Sequence, residues 1–137
     1  MPDVTKYIGD LLKNGRPVSE INPGSNQVAL RPNEALRALE LLKNGQTAVL
    51  GGDVFSEDGQ GGLSHAYVLW GSKYCYLNWC CDPTATESAA AYSERSIKVA
   101  ADAIVAAQTT AEKLMKTCLI ALVVKRYDSP EILVGDA

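Results

Sequence analysis

The sequence predicts an α+β fold, with a mainly antiparallel sheet packed against helices. Helical spacing of apolar residues appears near the N-terminus, at 32–42 and at 87–108, whereas 47–55 and 119–124 are apolar strand candidates. The resulting order of helices, strands, helix and strand favours this class. Because the chain has 137 residues, 47% of them hydrophobic, we expect one domain over 1–137 that buries a real core.

The composition excludes several classes of function. The net charge is −3 with a pI near 5.1, and no basic stripe suited to phosphate binding occurs. We therefore expect no nucleic-acid ligand, whereas a basic protein partner would be favoured electrostatically.

The sequence also predicts a cytoplasmic protein. No signal peptide is visible, and the longest apolar run, Cys118–Val124, is far shorter than the roughly 20 residues of a spanning helix. The four cysteines lack zinc-ligand spacing, so we expect reduced thiols and no metal.

Two helices are predicted in the first third of the chain. The first runs from about Val4 to Asn14, with Asp3 as its cap, Gly15 as its stop and one apolar face (Tyr7, Ile8, Leu11 and Leu12). The second begins at Pro32 and ends at Asn44-Gly45. The intervening residues 16–31 read as a loop with a short extended piece around 27–30.

The middle of the chain predicts strands. Thr47–Leu50 begins a strand that continues to Phe55, and Glu57–Gly62 has the composition of a turn. We therefore predict a hairpin between Val49–Phe55 and Ala66–Trp70. Tyr74–Trp79 alternates aromatic and other residues like a further strand.

The last third predicts the longest helix and a buried strand. Thr84 and Glu87 have the spacing of a capping box, and the alanine-rich stretch that follows, 87–108, carries one apolar face (Tyr92, Ile97, Ala100, Ala101, Ile104 and Val105). Residues 119–124 then form a continuously apolar strand, and the tail 129–137 either adds an edge piece or stays loose.

Two catalytic interpretations are weak. Gly51-Gly52-Asp53-Val54-Phe55 invites comparison with the Gly-Gly-Asp-Glu-Phe turn of diguanylate cyclases, but the glutamate is missing. His65 is the only histidine, so a Cys/His-dependent enzyme would have to pair it with Cys80 or Cys81 and a third orienting group.

Polar and aromatic residues gather ahead of and within the long helix. Asn78, Trp79 and Asp82 lie at a strand-to-helix junction, where they either support the turn or form a recognition surface. On the helix, Ser88, Tyr92, Arg95 and Ser96 share one face. A buried Arg95 would need a carboxylate, for which Asp53 and Asp82 are the candidates.

These segments together are similar to a known family. In order, they are 36–45, Val49–Phe55, Tyr76–Trp79 with Asp82-Pro83, and Glu87-Ser88 with Tyr92 and Arg95–Ile97. They resemble the bacterial polymorphic-toxin immunity proteins of immunity protein family forty, over about residues 33–107. The pairing of the Gly-Gly-Asp stretch with the Asn-Trp stretch is the most specific part of this likeness.

The resemblance implies a small cytoplasmic protein, made beside a secreted toxin in interbacterial competition, that neutralises the toxin domain by stoichiometric occlusion. It implies no enzyme activity and no cofactor. The sequence does not reveal whether the protein is a monomer or a homodimer. The signature or partner-binding residues would be Asp53, Tyr76, Asn78, Trp79, Asp82, Glu87, Tyr92 and Arg95. A Cys/His-dependent enzyme and an adaptor domain without a toxin partner are the alternatives.

Within this hypothesis the twin glycines have a structural explanation. Gly51 and Gly52 let their strand approach Asn78 and Trp79. Asp53 fixes the contact between the two segments by bonding to Arg95 or a backbone donor. The signature residues are then partly scaffold, and the toxin meets exposed loops nearby.

Overall fold

The computed structural model describes residues 4–43, 46–126 and 132–134. Within these residues there are four α-helices and seven strands, in the following chain order: α1 (Val4–Asn14), β1 (Arg16–Pro17), β2 (Val28–Leu30), α2 (Pro32–Leu42), β3 (Thr47–Glu57), β4 (Leu63–His65), α3 (Ala66–Trp70), β5 (Trp79–Cys80), α4 (Ala89–Leu114), β6 (Leu119–Arg126) and β7 (Ile132–Val134). Short 3₁₀ helices cover Val18–Glu20 and Ser72–Leu77. The predicted α+β class is confirmed.

Strand β3 lies inside an antiparallel sheet of order β1-β2-β6-β3-β4, in which β5 also pairs with β3 and β7 with β6. One edge of β3 pairs with β6, from Thr47 opposite Arg126 to Phe55 opposite Leu119. The other edge is divided between β5 and β4. Because β5 and β4 are both short, part of the second edge of β3 has no strand beside it.

The main core lies between the helices and one face of the sheet. Buried residues of α1, α2 and α4 contact Val54, Ile120, Leu122 and Val124. Because successive strand residues point to opposite faces, Phe55 and Ala121 belong to a smaller cluster on the other face, with Val18, Ala29, Leu63 and Leu119.

The first two helices lie where the sequence places them. On α1, Tyr7 and Leu11 are buried, but Leu12 is 77% exposed and does not belong to the apolar face as predicted. Pro32 occupies the first turn of α2. The predicted cap Asp3 and the predicted stop Asn44-Gly45 lie outside the described residues.

The predicted second strand of the hairpin is wrong, because Ala66–Trp70 forms helix α3 and the strand is Leu63–His65. The turn closes within five residues, where the Asp58 N–H donates to the Gly62 carbonyl at 2.8 Å and the Asp58 carboxylate accepts from the Gln60 and Gly62 N–H groups. The return strand therefore starts early, at Leu63 opposite Glu57.

The predicted strand at Tyr74–Trp79 is also wrong over most of its length. Ser72–Leu77 is a 3₁₀ helix, and only Trp79–Cys80 pairs with β3. The aromatic alternation arises instead from ring packing, since Trp70 and Tyr74 meet edge to face at 6.1 Å and Tyr74 lies 6.4 Å from Tyr76.

The longest helix is confirmed, with a shifted start and end. The Ser88 hydroxyl, not Thr84, caps α4 by accepting from the Ala91 N–H at 3.1 Å. Glu87 does bond back to the Thr84 N–H at 3.2 Å, but around a turn that precedes the helix. Val105 is 49% exposed, contrary to its predicted place on the apolar face.

The predicted buried strand is confirmed as β6, and Ile132–Val134 adds an edge piece beside it. The remainder of the predicted tail, 129–131 and 135–137, lies outside the described residues. In the described part of the chain, no helix combines the length and the apolar character needed to cross a bilayer.

Candidate functional site

The twin glycines lie where β5 pairs with β3. Gly51 pairs with Cys80 and Gly52 with Trp79. A Cβ atom on Gly52 would overlap the indole ring of Trp79, and one on Gly51 would overlap the Trp79 backbone carbonyl. The prediction that these glycines admit the Asn78–Trp79 segment is confirmed.

Asn78 bridges the gap on the second edge of β3. Its side-chain oxygen accepts from the Val54 N–H at 2.8 Å, between the positions paired with β5 and β4. Val54 is 1% exposed, so this N–H would otherwise be a buried donor without a strand partner. Asn78 therefore completes the sheet and also marks where β4 must end.

Arg95 fastens the loop after β5 to helix α4. Its Nε and Nη2 atoms donate to the two carboxylate oxygens of Glu87 at 2.6 and 2.8 Å, a bidentate pair. Nη2 also donates to the Asp82 backbone carbonyl at 2.7 Å. We call this set, Asn78–Asp82 with Glu87, Tyr92 and Arg95, the junction.

The ion pair fixes the charge state of both partners. Hydrogen bonds from Arg95 lower the pKa of Glu87 to about 2, and the same bonds raise the pKa of Arg95 above its usual value. Glu87 is thus ionised at neutral pH and remains an acceptor. The predicted partners of Arg95, the carboxylates of Asp53 and Asp82, are wrong, because Glu87 supplies the carboxylate.

Tyr92 also bonds to the loop after β5. Its hydroxyl donates to the Cys81 carbonyl at 2.6 Å, and the Cys81 N–H donates to the Leu50 carbonyl at 2.7 Å. Burial raises the pKa of Tyr92, which keeps the phenol a donor. The guanidinium of Arg95 lies 5.6 Å from the Tyr92 ring centre, a cation–π distance.

Ser96 joins α4 to β3 one turn further along. Its hydroxyl accepts from the Val49 N–H at 3.0 Å and donates to the Ser93 carbonyl at 2.9 Å. The pairing of β3 with β6 shifts register between Val49 and Gly51, so the hydroxyl supports an irregular point of the strand. The sequence predicted that Ser96 shares a helix face with Tyr92 and Arg95. It did not predict that Ser96 bonds to Val49.

Asp53 lies on the other face of the sheet. Its carboxylate accepts from the Gln27 side-chain amide at 3.1 Å, and it does not bond to Arg95 as predicted. Strand alternation explains this result, because the adjacent Val54 points into the helix-covered core. Sequence reasoning missed Gln27, which lies in a stretch without periodicity and is only 6% exposed.

The structure therefore divides the predicted signature residues. Asn78, Trp79, Glu87, Tyr92 and Arg95 meet at the junction, to which Asp82 contributes its backbone carbonyl. Asp53 is held by the N-terminal part of the chain, and Tyr76 is 67% exposed on the 3₁₀ helix before β5.

The structure does not assemble the Cys/His pair that an enzyme would need. Cys80 lies opposite Gly51 and His65 opposite Phe55, four residues apart along β3, and Cys81, whose N–H donates to the Leu50 carbonyl, lies further away still. At about 3.3 Å a residue, the backbones of Cys80 and His65 are separated by roughly 13 Å, whereas a dyad needs side chains within hydrogen-bonding distance. The His65 ring instead stacks between Phe55 and Tyr67, at 4.7 and 5.2 Å.

Comparisons with curated proteins and with solved structures returned no match. One family model does match, and its range contains both the twin glycines and the whole junction. The model is that of Immunity protein 40, matched over residues 17–124, which is well over half of the chain. The chain therefore belongs to the Immunity protein 40 family.

Proposed function

We propose that this protein binds the toxin domain encoded beside it and neutralises that domain by one-to-one occlusion in the cytoplasm of the producing cell. Membership of an immunity-protein family supports this role. The net charge of −3 favours a basic protein surface as the partner.

The observation that carries this function is that the donors of Arg95 bond within the chain. Each of the three guanidinium nitrogens of Arg95 donates within the chain, to Glu87, to the Asp82 carbonyl and to the Cys81 sulfur at 3.2 Å. A catalytic centre keeps such groups directed at a substrate, whereas here they tie one loop to one helix. The arrangement is a scaffold, and a scaffold suits a protein that acts by presenting a surface.

The placement of Asn78 and Trp79 supports the same interpretation. Asn78 completes the hydrogen bonding of β3, and the Trp79 ring fills the space that Gly52 leaves. Both side chains thus have a role inside the fold, although the buried indole N–H of Trp79 has no hydrogen-bond partner among the described residues. The toxin would then contact exposed side chains that the junction positions, rather than the junction itself.

The test is protection from the toxin in living cells. A test bacterium expressing the adjacent toxin domain should stop growing, and co-expression of this protein should restore growth. His65→Ala should protect as well as the wild type, because a binder does not need an imidazole nucleophile or base. Failure of the wild type to protect against an active toxin would overturn the proposal and favour an adaptor without a toxin partner. Loss of protection on replacing His65 in a folded protein would favour an enzyme.

A further inference from the structure

Helix α3 and the 3₁₀ helix after it carry an aromatic surface whose inner rings, Trp70 and Tyr74, pack against the main core and whose outer side chains are exposed. We call Tyr67, Val68, Trp70, Tyr74 and Tyr76 the tyrosine patch. Val68 is 62% and Tyr76 67% exposed. The other large apolar side chains exposed in the described ranges are spread over α1, the loop after β1, and α4 and its C-cap. Scattered exposed side chains are normal, but a cluster of them marks an interaction surface.

The patch is held in one shape before any partner arrives. Ala66 at its start and Leu77 at its end are buried, at 2% and 5% exposure. The rings also pack on one another, and Lys73 places its ammonium 5.2 Å from the ring centre of Tyr74. Because tyrosine and tryptophan have few rotatable bonds, such a surface loses little conformational entropy when it binds.

Acidic residues lie in the loops at both ends of the patch. The connection that carries it leaves the sheet after His65, opposite Phe55, and returns at Trp79, opposite Gly52, three residues away along β3, which is roughly 10 Å. Asp58 lies in the turn at the first end and Asp82 follows β5 at the second. Arg16 pairs with Glu57 at the first end and Arg95 with Glu87 at the second, so Asp58 and Asp82 are the acids at the two ends that lie outside these ion pairs.

We propose that the tyrosine patch is the surface that contacts the toxin domain, and that the toxin surface it fits is apolar at its centre and basic at its edge. This inference rests on the proposed function. An aromatic centre with a charged rim is the arrangement in which a few central side chains carry most of the binding energy, while rim charges steer association.

A second copy of this chain suits the patch less well. A two-fold axis through the patch would bring an acidic end of one copy towards an acidic end of the other, whichever way the axis runs. Acid would then meet acid, which disfavours self-association. A basic partner gains attraction at the same two places.

The test measures binding of the purified full-length protein to the adjacent toxin domain by calorimetry. Val68→Glu and Tyr76→Ala should each raise the Kd by about 30-fold or more, the usual effect at a central interface residue. The matched control is Val105→Glu on α4, which introduces the same charge at another half-exposed valine and should leave the Kd unchanged. Melting temperatures within about 2 °C of the wild type would show that all three variants remain folded.

The charged rim has a test of its own. Asp82→Asn should slow association with the toxin several-fold at low salt, and the difference should shrink as salt is added. Glu112→Gln, an exposed acid near the end of α4, should leave the association rate unchanged.

Three outcomes would overturn the inference. Wild-type affinity of both patch variants would place the toxin elsewhere and leave the proposed function standing. A wild-type dimer that becomes monomeric on Tyr76→Ala, with toxin binding intact, would assign the patch to self-association. Absence of any complex between the wild type and an active toxin domain would remove the proposed function and this inference together.

Discussion

The close contact between Gly52 and Trp79 makes a quantitative prediction about stability. Gly52 lies in extended strand and is not among the positive-φ glycines of the described chain, so alanine there brings no backbone strain. The nearest obstacle is the indole ring, which the new methyl group would overlap. Forcing a methyl group into such a contact costs about 1–3 kcal/mol.

The assay is urea unfolding of Gly52→Ala, which should lower the free energy of unfolding by that amount and the melting temperature by about 3–10 °C. The matched control is Gly9→Ala, because Gly9 lies in α1 with no atom within 4 Å of an added Cβ. That change should instead stabilise the protein by about 0.5–1 kcal/mol.

A double-mutant cycle assigns the cost to the ring itself. Trp79→Leu is destabilising alone, but it removes the ring atoms that the Gly52→Ala methyl group would meet. The double variant should therefore lose at least about 1 kcal/mol less than the sum of the single variants. A neutral Gly52→Ala, or strict additivity of the two changes, would refute the steric account of the twin glycines.

Three further predictions concern the scaffold. Asn78→Ala leaves the Val54 N–H without its acceptor and should cost about 1–3 kcal/mol in urea unfolding; an unchanged midpoint would contradict this. Glu87 has a folded-state pKa of about 2 against an ordinary 4.5, so its pairing with Arg95 stabilises the protein fully above pH 4.5 and not at all below about 2. The stability gap between wild type and Glu87→Gln should therefore close as pH falls through that window, and a gap independent of pH would reject the ion pair. Asp53→Ala should lower the melting temperature as well as protection, and loss of protection with unchanged melting would favour direct toxin contact.

The parts of the fold that were predictable from the sequence are those with long, regular patterns. Helix α4 and strand β6 bury apolar faces that repeat over many residues, so their type and approximate limits follow from periodicity. The twin glycines predicted a close approach because the absence of a side chain has few other uses inside a strand.

The region between β3 and β5 could not be predicted in the same way. Tyr67, Val68 and Trp70 are residue types that favour strands, yet they form α3. The outer edge of β3 is already occupied by the Asn78 side chain at Val54, a tertiary contact that no local pattern contains. The tyrosine patch results from this departure, because strands there would have paired its residues along the sheet.

The partner of Arg95 was missed for a related reason. Topology alone left Asp53 and Asp82 as candidates, but Asp53 points to the other face of the sheet, and Asp82 contributes only its carbonyl. Glu87, eight residues before Arg95, reaches it because the chain turns at Thr84–Glu87 before the helix begins. The direction of the Glu87 side chain depends on how the backbone turns, which the residue pattern alone does not show.

The most direct test of the central claim is the mass of the species formed when this protein and its adjacent toxin domain are mixed, measured by size exclusion with light scattering. Stoichiometric occlusion predicts a stable complex with one copy of each chain and residual toxin activity that falls linearly to zero at equal molar amounts. Separate elution of the two proteins, or loss of toxin activity at far less than one equivalent, would contradict it.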